Sequence, residues 1–269
     1  MHVKRILGAA VLATAAPAAA SATDATIDPG RETIRIAFDA GYPPFIVEDA
    51  DGTFSGFEVD LVEAWCARMT ATCTQSAHTF DTIIPALNAG KFDAIVASMY
   101  ITEERAEKVA FTRPYYFMPG RYATREDADF EITREGLRGK VIGVQRATTE
   151  ARHIQNAFGD VADIRYYDYQ EPIFMDAGAG RLDLILSLRT VLEQGFLDTP
   201  EGADWHVTGP TIDDPAIYGG GAAVAVRHED DQLREAFNQA IEAVIADGTY
   251  ERLKDKYFDF DFPVRPPEG

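Results

Sequence analysis

The segment ASMYITEER, residues 97–105, places a cation where the local structure does not favour one. Thr102 is a suitable N-cap, and Glu103 and Glu104 suit the positive end of the helix that would begin there. Arg105 lies in the same first turn, where a cation is unfavourable unless it pairs with the neighbouring glutamates or with an anion from outside the chain. The segment therefore indicates a candidate anion-binding residue at Arg105.

The N-terminus has the three-part pattern of a secretory signal peptide. Lys4 and Arg5 form its basic part, residues 6–16 are apolar, and Ala20–Ala22 is a small-residue cleavage site. We therefore predict a signal peptide over residues 1–22 and an exported, soluble mature protein. No later segment is apolar for long enough to form a transmembrane helix.

The net charge is −19, which repels phosphate backbones and anionic lipid head groups. This charge argues against nucleic-acid or membrane-surface partners. It would tend to attract cationic solutes, although a solvated acidic surface explains it equally well.

Two cysteines, Cys66 and Cys73, lie close together in the sequence CARMTATC. In an exported chain such a pair favours a disulfide over a metal site. Closing this short loop would stabilise the fold by about 2.5 kcal/mol in the chain-entropy model. The histidines show none of the spacings typical of zinc sites, and we predict no metal and no cofactor.

Short apolar runs alternate with amphipathic segments, a pattern that predicts an α/β fold. Two similar sets appear, with LNAGKFDAIVAS in the first echoed by AGAGRLDLILS in the second, which suggests two related lobes with a cleft between them. The predicted strands are 33–38, 92–98, 140–144, 163–167, 181–188 and 218–227, and the predicted helices are 56–69, 80–90, one from 148, 170–180, 230–248 and 249–258.

Four motifs give the chain a resemblance to a known family. They are GFEVDL, FDTIIPALNAGKFDAI, SMYITEER and DGTYERLKDKYFDF, and they follow the order and spacing found in periplasmic solute-binding proteins of the polar amino-acid type. The resemblance extends from residue 33 to residue 262. It includes the lysine/arginine/ornithine- and histidine-binding proteins of ABC importers, and Cys66 and Cys73 fall where such members have their disulfide.

The resemblance implies a two-lobed type II periplasmic-binding-protein fold. Lobe one would comprise residues 32–118 and 212–269, lobe two would comprise residues 122–208, and the ligand would bind in the cleft between them. Such proteins are monomeric by default, act in the periplasm and pass their solute to an ABC permease in the inner membrane. They are not catalysts, so the resemblance implies no catalytic residues.

By the same resemblance, several residues would hold the carboxylate end of a ligand. Arg105 matches the arginine that binds a ligand carboxylate through two parallel hydrogen bonds. Thr149 matches a residue that contacts the same carboxylate at a helix start, where Thr148 is a suitable N-cap. Ser98 keeps the small polar residue that lies beside the ligand.

A second group would hold the cationic end. Asp39, Tyr42 and Phe80 match an acid and two aromatic residues around the ligand's cation, to which aromatic faces are attracted. Gln145 and Glu150 occupy positions that vary with specificity, and Glu150 would add a second carboxylate.

Two positions depart from the family pattern. Members that bind α-amino acids have an aspartate for the α-ammonium group where this chain has Leu188, and a small hydroxyl residue where it has Tyr100. We hypothesise that Tyr100 forms the third wall of an aromatic cage with Tyr42 and Phe80, an arrangement similar to ectoine-binding members. The cage predicts a small zwitterion such as ectoine or a betaine. In the alternative, Tyr100 turns away and packs in the hinge.

Three other functions stay open. The first is the binding of a cationic amino-acid derivative, such as an arginine-like compound, a guanidino acid or an opine. Leu188 would not weaken the binding of such a compound. A periplasmic cyclohexadienyl dehydratase has a similar fold but needs a general acid or base in the cleft, which Leu188 does not provide. A sensor domain would be fused to a membrane span and a signalling module.

Overall fold

The computed structural model describes residues 27–264, and the predicted signal peptide lies outside the described residues. Twelve strands and nine α-helices form within this range. The strands are β1 Thr33–Phe38, β2 Val47–Glu48, β3 Phe54–Ser55, β4 Thr72–Ala77, β5 Ala94–Ile95, β6 Ala110–Phe111, β7 Gly120–Arg125, β8 Val141–Gln145, β9 Asp163–Tyr167, β10 Leu184–Leu188, β11 Trp205–Ile212 and β12 Ala225–Val226. The helices are α1 Phe57–Cys66, α2 Phe80–Asn88, α3 Glu103–Ala106, α4 Thr149–Phe158, α5 Gln170–Gly178, α6 Arg189–Leu192, α7 Pro215–Tyr218, α8 Asp231–Ala246 and α9 Thr249–Tyr257. A π-helix, Glu193–Leu197, and a 3₁₀ turn, Pro200–Gly202, complete the elements.

The strands form two five-stranded sheets. The first has the order β4-β1-β5-β12-β6 and the second the order β11-β7-β10-β8-β9. In each sheet one strand runs parallel to two neighbours: β1 lies between β4 and β5, and β8 lies between β9 and β10. This similarity confirms the α/β fold and agrees with the prediction of two related sets. The exact bounds of the lobes stay a prediction.

The chain passes between the two sheets more than once. It leaves the first sheet after β6, builds the second sheet from β7 to β11, and returns to the first sheet as β12. The segment before β7 is part of residues 113–125, which the sequence predicts as a hinge. It contributes Tyr116, which pairs with Ala222 beside the returning strand.

Two buried strands are shorter than predicted because the backbone turns. The predicted strand 92–98 pairs only as β5, and Ser98 has φ +49°. The predicted strand 218–227 pairs as a strand only in β12, since Gly219 and Gly221 have φ of +58° and +107°. A left-handed residue takes the chain out of the extended conformation that a strand ladder requires.

Helix α1 ends at Cys66, three residues before the predicted end. The N–H groups of Arg68 and Met69 donate to carbonyls only three residues back, which closes the helix with a tight turn. The predicted disulfide is confirmed: Cys66 is bonded to Cys73, so the end of α1 is tied to β4. No helix among residues 27–264 is long and apolar enough to cross a membrane.

Asp93 anchors the strand that leads into the candidate site. The carboxylate is almost fully buried and accepts hydrogen bonds from the backbone N–H and the guanidinium of Arg35, at 2.9–3.0 Å. Arg31 and Arg227 lie at 3.0 and 3.1 Å from its Oδ1. Although burial opposes ionisation, these arginine bonds hold the pKa of Asp93 well below its ordinary value. The charged form therefore stabilises the folded state.

We expect Asp93→Asn to lower the free energy of unfolding by about 3 kcal/mol at pH 7, because a buried partner of several arginines is lost. Since the folded pKa is depressed, the contribution is present above the ordinary pKa of about 4 and fades as the pH falls below it. Urea unfolding of both proteins between pH 7 and pH 2 measures this. Asp129→Asn, at an exposed position, is the control. A difference that does not shrink in acid would contradict the assignment.

Candidate functional site

The candidate site lies where strands of both sheets end. Asp39 directly follows β1, and Gln145 is the last residue of β8. Two residues separate Ser98 from the end of β5. The carboxyl ends of parallel strands are the usual ligand-binding edge of an α/β sheet. Ten of the eleven predicted ligand-binding residues line one cavity of about 20 Å³, together with Ala97: Asp39, Tyr42, Phe80, Ser98, Tyr100, Arg105, Gln145, Thr148, Thr149 and Glu150.

The cavity is much smaller than an amino acid requires. About 20 Å³ is little more than one water molecule needs, whereas ligand sites usually have 300 Å³ or more, about fifteenfold larger. A groove of about 590 Å³ adjoins it and shares Phe80, Arg105, Thr148 and Thr149. A ligand of amino-acid size could therefore enter only after the two sides of the cavity move apart.

The first turns of two helices carry the residues that are predicted to hold the carboxylate end of a ligand. Thr102 caps α3 by accepting a hydrogen bond from the Arg105 N–H at 3.3 Å, and Thr148 caps α4 by accepting one from Ala151 at 3.0 Å. Both predicted N-caps are confirmed. They bring Arg105 and Thr149 to the cavity from opposite sheets.

Arg105 joins the two sides of the cavity. Its guanidinium is buried and donates to the Tyr100 carbonyl at 2.8 Å and to the Ala147 carbonyl at 3.0 Å. The ring of Phe80 lies 5.1 Å from the guanidinium carbon, in the range of a cation–π contact. Burial lowers the pKa of Arg105 to about 10, which the charge of Glu150 opposes, so the group stays protonated at neutral pH.

Asp39 makes the second link across the cavity. Its Oδ2 accepts a hydrogen bond of 2.7 Å from the side-chain amide of Gln145, which Gln170 orients through a bond of 2.9 Å. Its Oδ1 is buried and has no hydrogen-bond partner among the described residues. Burial raises the pKa of Asp39 to about 8, although the bond from Gln145 opposes the shift.

Glu150 is the second buried acid. One carboxylate oxygen accepts a hydrogen bond from the Thr149 hydroxyl at 3.0 Å. Burial, and to a smaller extent the nearby charge of Glu150, raises the pKa of Tyr42 and of Tyr218 well above the ordinary range. With Asp39, Glu150 and Arg105 all ionised, the charged side chains that line the cavity sum to −1.

Tyr100 lines the cavity, and its hydroxyl is bonded to the segment that precedes β7. Its hydroxyl donates to the Met118 carbonyl at 2.8 Å and accepts from the Met118 N–H at 2.9 Å. Its ring meets those of Phe117 and Tyr218 edge-on, with centroids 5.9 and 5.3 Å away. Tyr100 thus packs against the segment that precedes β7, as in the alternative prediction.

Leu188 is not among the residues that line the cavity, and its place in the site stays a prediction. It is the last residue of β10, is fully buried and belongs to the apolar core. The preceding Ser187 is also buried, and its hydroxyl has no hydrogen-bond partner among the described residues.

Sequence reasoning missed four residues at the site. Ala147, with φ +61°, supplies a carbonyl to Arg105, and Ala97 lines the cavity. Gln170 orients Gln145, and Glu58 binds Ser98. Only Glu58 had a signal, since it is an acid between two apolar residues in a quoted motif. Among residues 27–264, no group of three metal-ligating side chains could hold a metal ion.

Comparisons with known proteins agree with the fold. The family model of the bacterial extracellular solute-binding proteins, family 3, matches residues 34–260. The L-arginine-binding protein of Pseudomonas aeruginosa is 39% identical over 229 residues, which cover 85% of this chain and 88% of that protein. The histidine-binding periplasmic protein of Escherichia coli is 38% identical over 236 residues, covering 86% and 89%.

A solved structure is similar as well. It is that of a Salmonella typhimurium periplasmic binding protein with high arginine specificity. The TM-score is 0.78 at 30% identity, and the match covers 85% of this chain and 100% of that chain.

We expect Asp39 to titrate with a midpoint of about 8 in the ligand-free protein, instead of about 4. Carboxyl-carbon NMR measures this midpoint. Gln145→Leu should raise it further, because the amide hydrogen bond that favours the charged form is lost. Gln239→Leu, at an exposed position of α8, should leave it unchanged. A midpoint near 4 would contradict the burial of Asp39.

Proposed function

The chain belongs to family 3 of the bacterial extracellular solute-binding proteins, and from this membership we propose that it binds a cationic amino acid or a close derivative. It would do so in the periplasm, as the binding component of an ABC importer, and pass the solute to an inner-membrane permease. The named relatives support this proposal, since they bind arginine or histidine.

The charges of the cavity carry the proposal. Arg105, Asp39 and Glu150 are all at most 9% exposed, and they sum to −1 when a bound cation keeps Asp39 ionised below its ligand-free pKa of about 8. Buried charges are tolerated when they are paired, so the complementary solute has one carboxylate and two cationic groups. L-Arginine has this pattern. Its carboxylate would face Arg105, its guanidinium Asp39 and its α-ammonium Glu150.

Binding would replace hydrogen bonds that the protein makes with itself. The ligand carboxylate would take the place of the Ala147 carbonyl at Arg105, and the Tyr100 carbonyl would stay bonded to the same guanidinium. The ligand cation would take the place of the Gln145 amide at Asp39 and would also reach Oδ1, which has no hydrogen-bond partner among the described residues. The exchange would replace hydrogen bonds to neutral groups by ion pairs, and a guanidinium–carboxylate pair can form two parallel hydrogen bonds.

Glu150 would compensate for the position of Leu188. The absence of an aspartate there left the α-ammonium group without a partner in the sequence-based prediction. Glu150 lines the cavity and is buried, so it could supply that carboxylate. If it does not, the ligand would be a guanidino acid or an opine, in which the α-ammonium is absent or modified.

We do not retain the ectoine- or betaine-like ligand. The named relatives bind arginine or histidine and are not named for such solutes, and the Tyr100 hydroxyl is bonded to Met118. We also favour binding over catalysis, because the relatives at 38–39% identity are named as binding proteins.

Two ligands distinguish which cationic group is bound by Glu150 and which by Asp39. L-Arginine has an α-ammonium group and 4-guanidinobutanoate has none. We expect Glu150→Gln to weaken L-arginine binding about thirtyfold or more, the effect of leaving a buried charge unpaired. The same variant should weaken 4-guanidinobutanoate binding by less than about threefold. Asp39→Asn should weaken both to a similar extent. Calorimetric titration of refolded, ligand-free protein measures each dissociation constant.

Glu103→Gln is the matched control, because Glu103 is exposed on α3 and does not line the cavity. Equal loss for both ligands in Glu150→Gln would mean that Glu150 faces the guanidinium. No binding of either ligand by the unmodified protein would contradict the proposal itself.

A further inference from the structure

Glu58 is a fully buried acid that lies behind the candidate site instead of in it. It is the second residue of α1, where the helix dipole favours a negative charge. Its two carboxylate oxygens accept hydrogen bonds from the Ser98 N–H at 2.9 and 3.0 Å and from the Ser98 hydroxyl at 3.2 Å. Ser98 therefore directs both of its donors to Glu58 and neither to the cavity.

Ser98 needs such a partner because its backbone is strained. Its φ is +49°, and it is one of two non-glycine residues with positive φ among residues 27–264. The other is Ala147, whose carbonyl accepts from Arg105. A non-glycine residue persists in this conformation only when its surroundings hold it there, and such residues cluster at binding sites.

Glu58 also contacts the segment that connects the two sheets. The hydroxyl of Tyr115 donates to the same carboxylate, and that of Tyr116 lies 3.4 Å from it. Both tyrosines precede β7, the strand through which the chain enters the second sheet. One carboxylate thus holds together α1, the Ser98 turn and the connecting segment.

We propose that Glu58 is a positioning residue for ligand binding, which holds Ser98 in its left-handed conformation and so aims the segment from Ser98 to Arg105 at the ligand. This inference rests on the proposed function. The path is continuous: Glu58 holds the Ser98 turn, and the Tyr100 carbonyl two residues later accepts from the Arg105 guanidinium. Without Glu58 the turn relaxes towards an ordinary backbone, and Arg105 loses its alignment.

The experiment uses rescue by glycine. Glu58→Gln keeps the size of the side chain, and we expect it to weaken L-arginine binding by about tenfold or more, the equivalent of the strain at one such residue. Glycine adopts positive φ without strain, so the loss caused by Glu58→Gln in a Ser98→Gly background should be less than about threefold. Glu63→Gln, at an exposed position of the same helix, is the control and should change nothing.

A second readout does not depend on any ligand. In the ligand-free protein, Glu58→Gln should increase hydrogen exchange at the Ser98 amide while the Ile36 amide in β1 stays protected. Unchanged exchange at Ser98, or a loss of binding that Ser98→Gly does not reduce, would overturn the inference. If the unmodified protein binds neither L-arginine nor 4-guanidinobutanoate, the proposed function fails and the exchange measurement still decides the role of Glu58.

The double variant also covers a failure to fold. If Glu58→Gln alone does not fold, the Ser98→Gly double variant should fold, since it relieves the conformation that Glu58 maintains. A double variant that also fails to fold would overturn the inference.

Discussion

The buried guanidinium of Arg105 is the interaction on which the candidate site depends. A charge that leaves water must find partners, and this one finds two backbone carbonyls, one from each side of the cavity. Ala147, which supplies one of these carbonyls, has a positive φ. Thr102 caps the helix that carries Arg105 itself. The same guanidinium suits a ligand carboxylate, and its present partners are neutral. The group that links the two sides is therefore also the group that a ligand would engage.

The architecture could be predicted because it follows from local patterns. Strand β1 and strand β9 have the predicted bounds, since each is a short segment that contains β-branched and aromatic residues. Helix α2 starts at the predicted residue and stops two residues before the glycine with φ +73°. The lengths of β5 and β12 could not be predicted, because a strand ends where its partner strand ends or where the backbone turns. Both depend on tertiary contacts.

The site was predictable to the level of residue positions and not of orientations. Motif spacing brought ten residues to one cavity. The direction of the Tyr100 ring depends on whether its hydroxyl finds a partner, and the Met118 backbone, eighteen residues away in sequence, provides one. Leu188 is at the predicted strand end, but it packs into the core because it has no polar group to satisfy. Glu58 has a signal in the sequence only as an acid between two apolar residues, and its contacts with Ser98 and Tyr115 appear only in the structure.

Calorimetric titration of refolded, ligand-free protein with L-arginine, L-citrulline and ectoine measures whether the site complements a net charge of +1. Citrulline has nearly the shape of arginine but a neutral side chain, so it isolates the charge at Asp39. We predict that L-arginine binds at least about a hundredfold more tightly than L-citrulline, the usual effect of a lost buried charge pair, and that ectoine binds more weakly than L-arginine. Binding of L-citrulline or ectoine as tight as that of L-arginine would contradict the account.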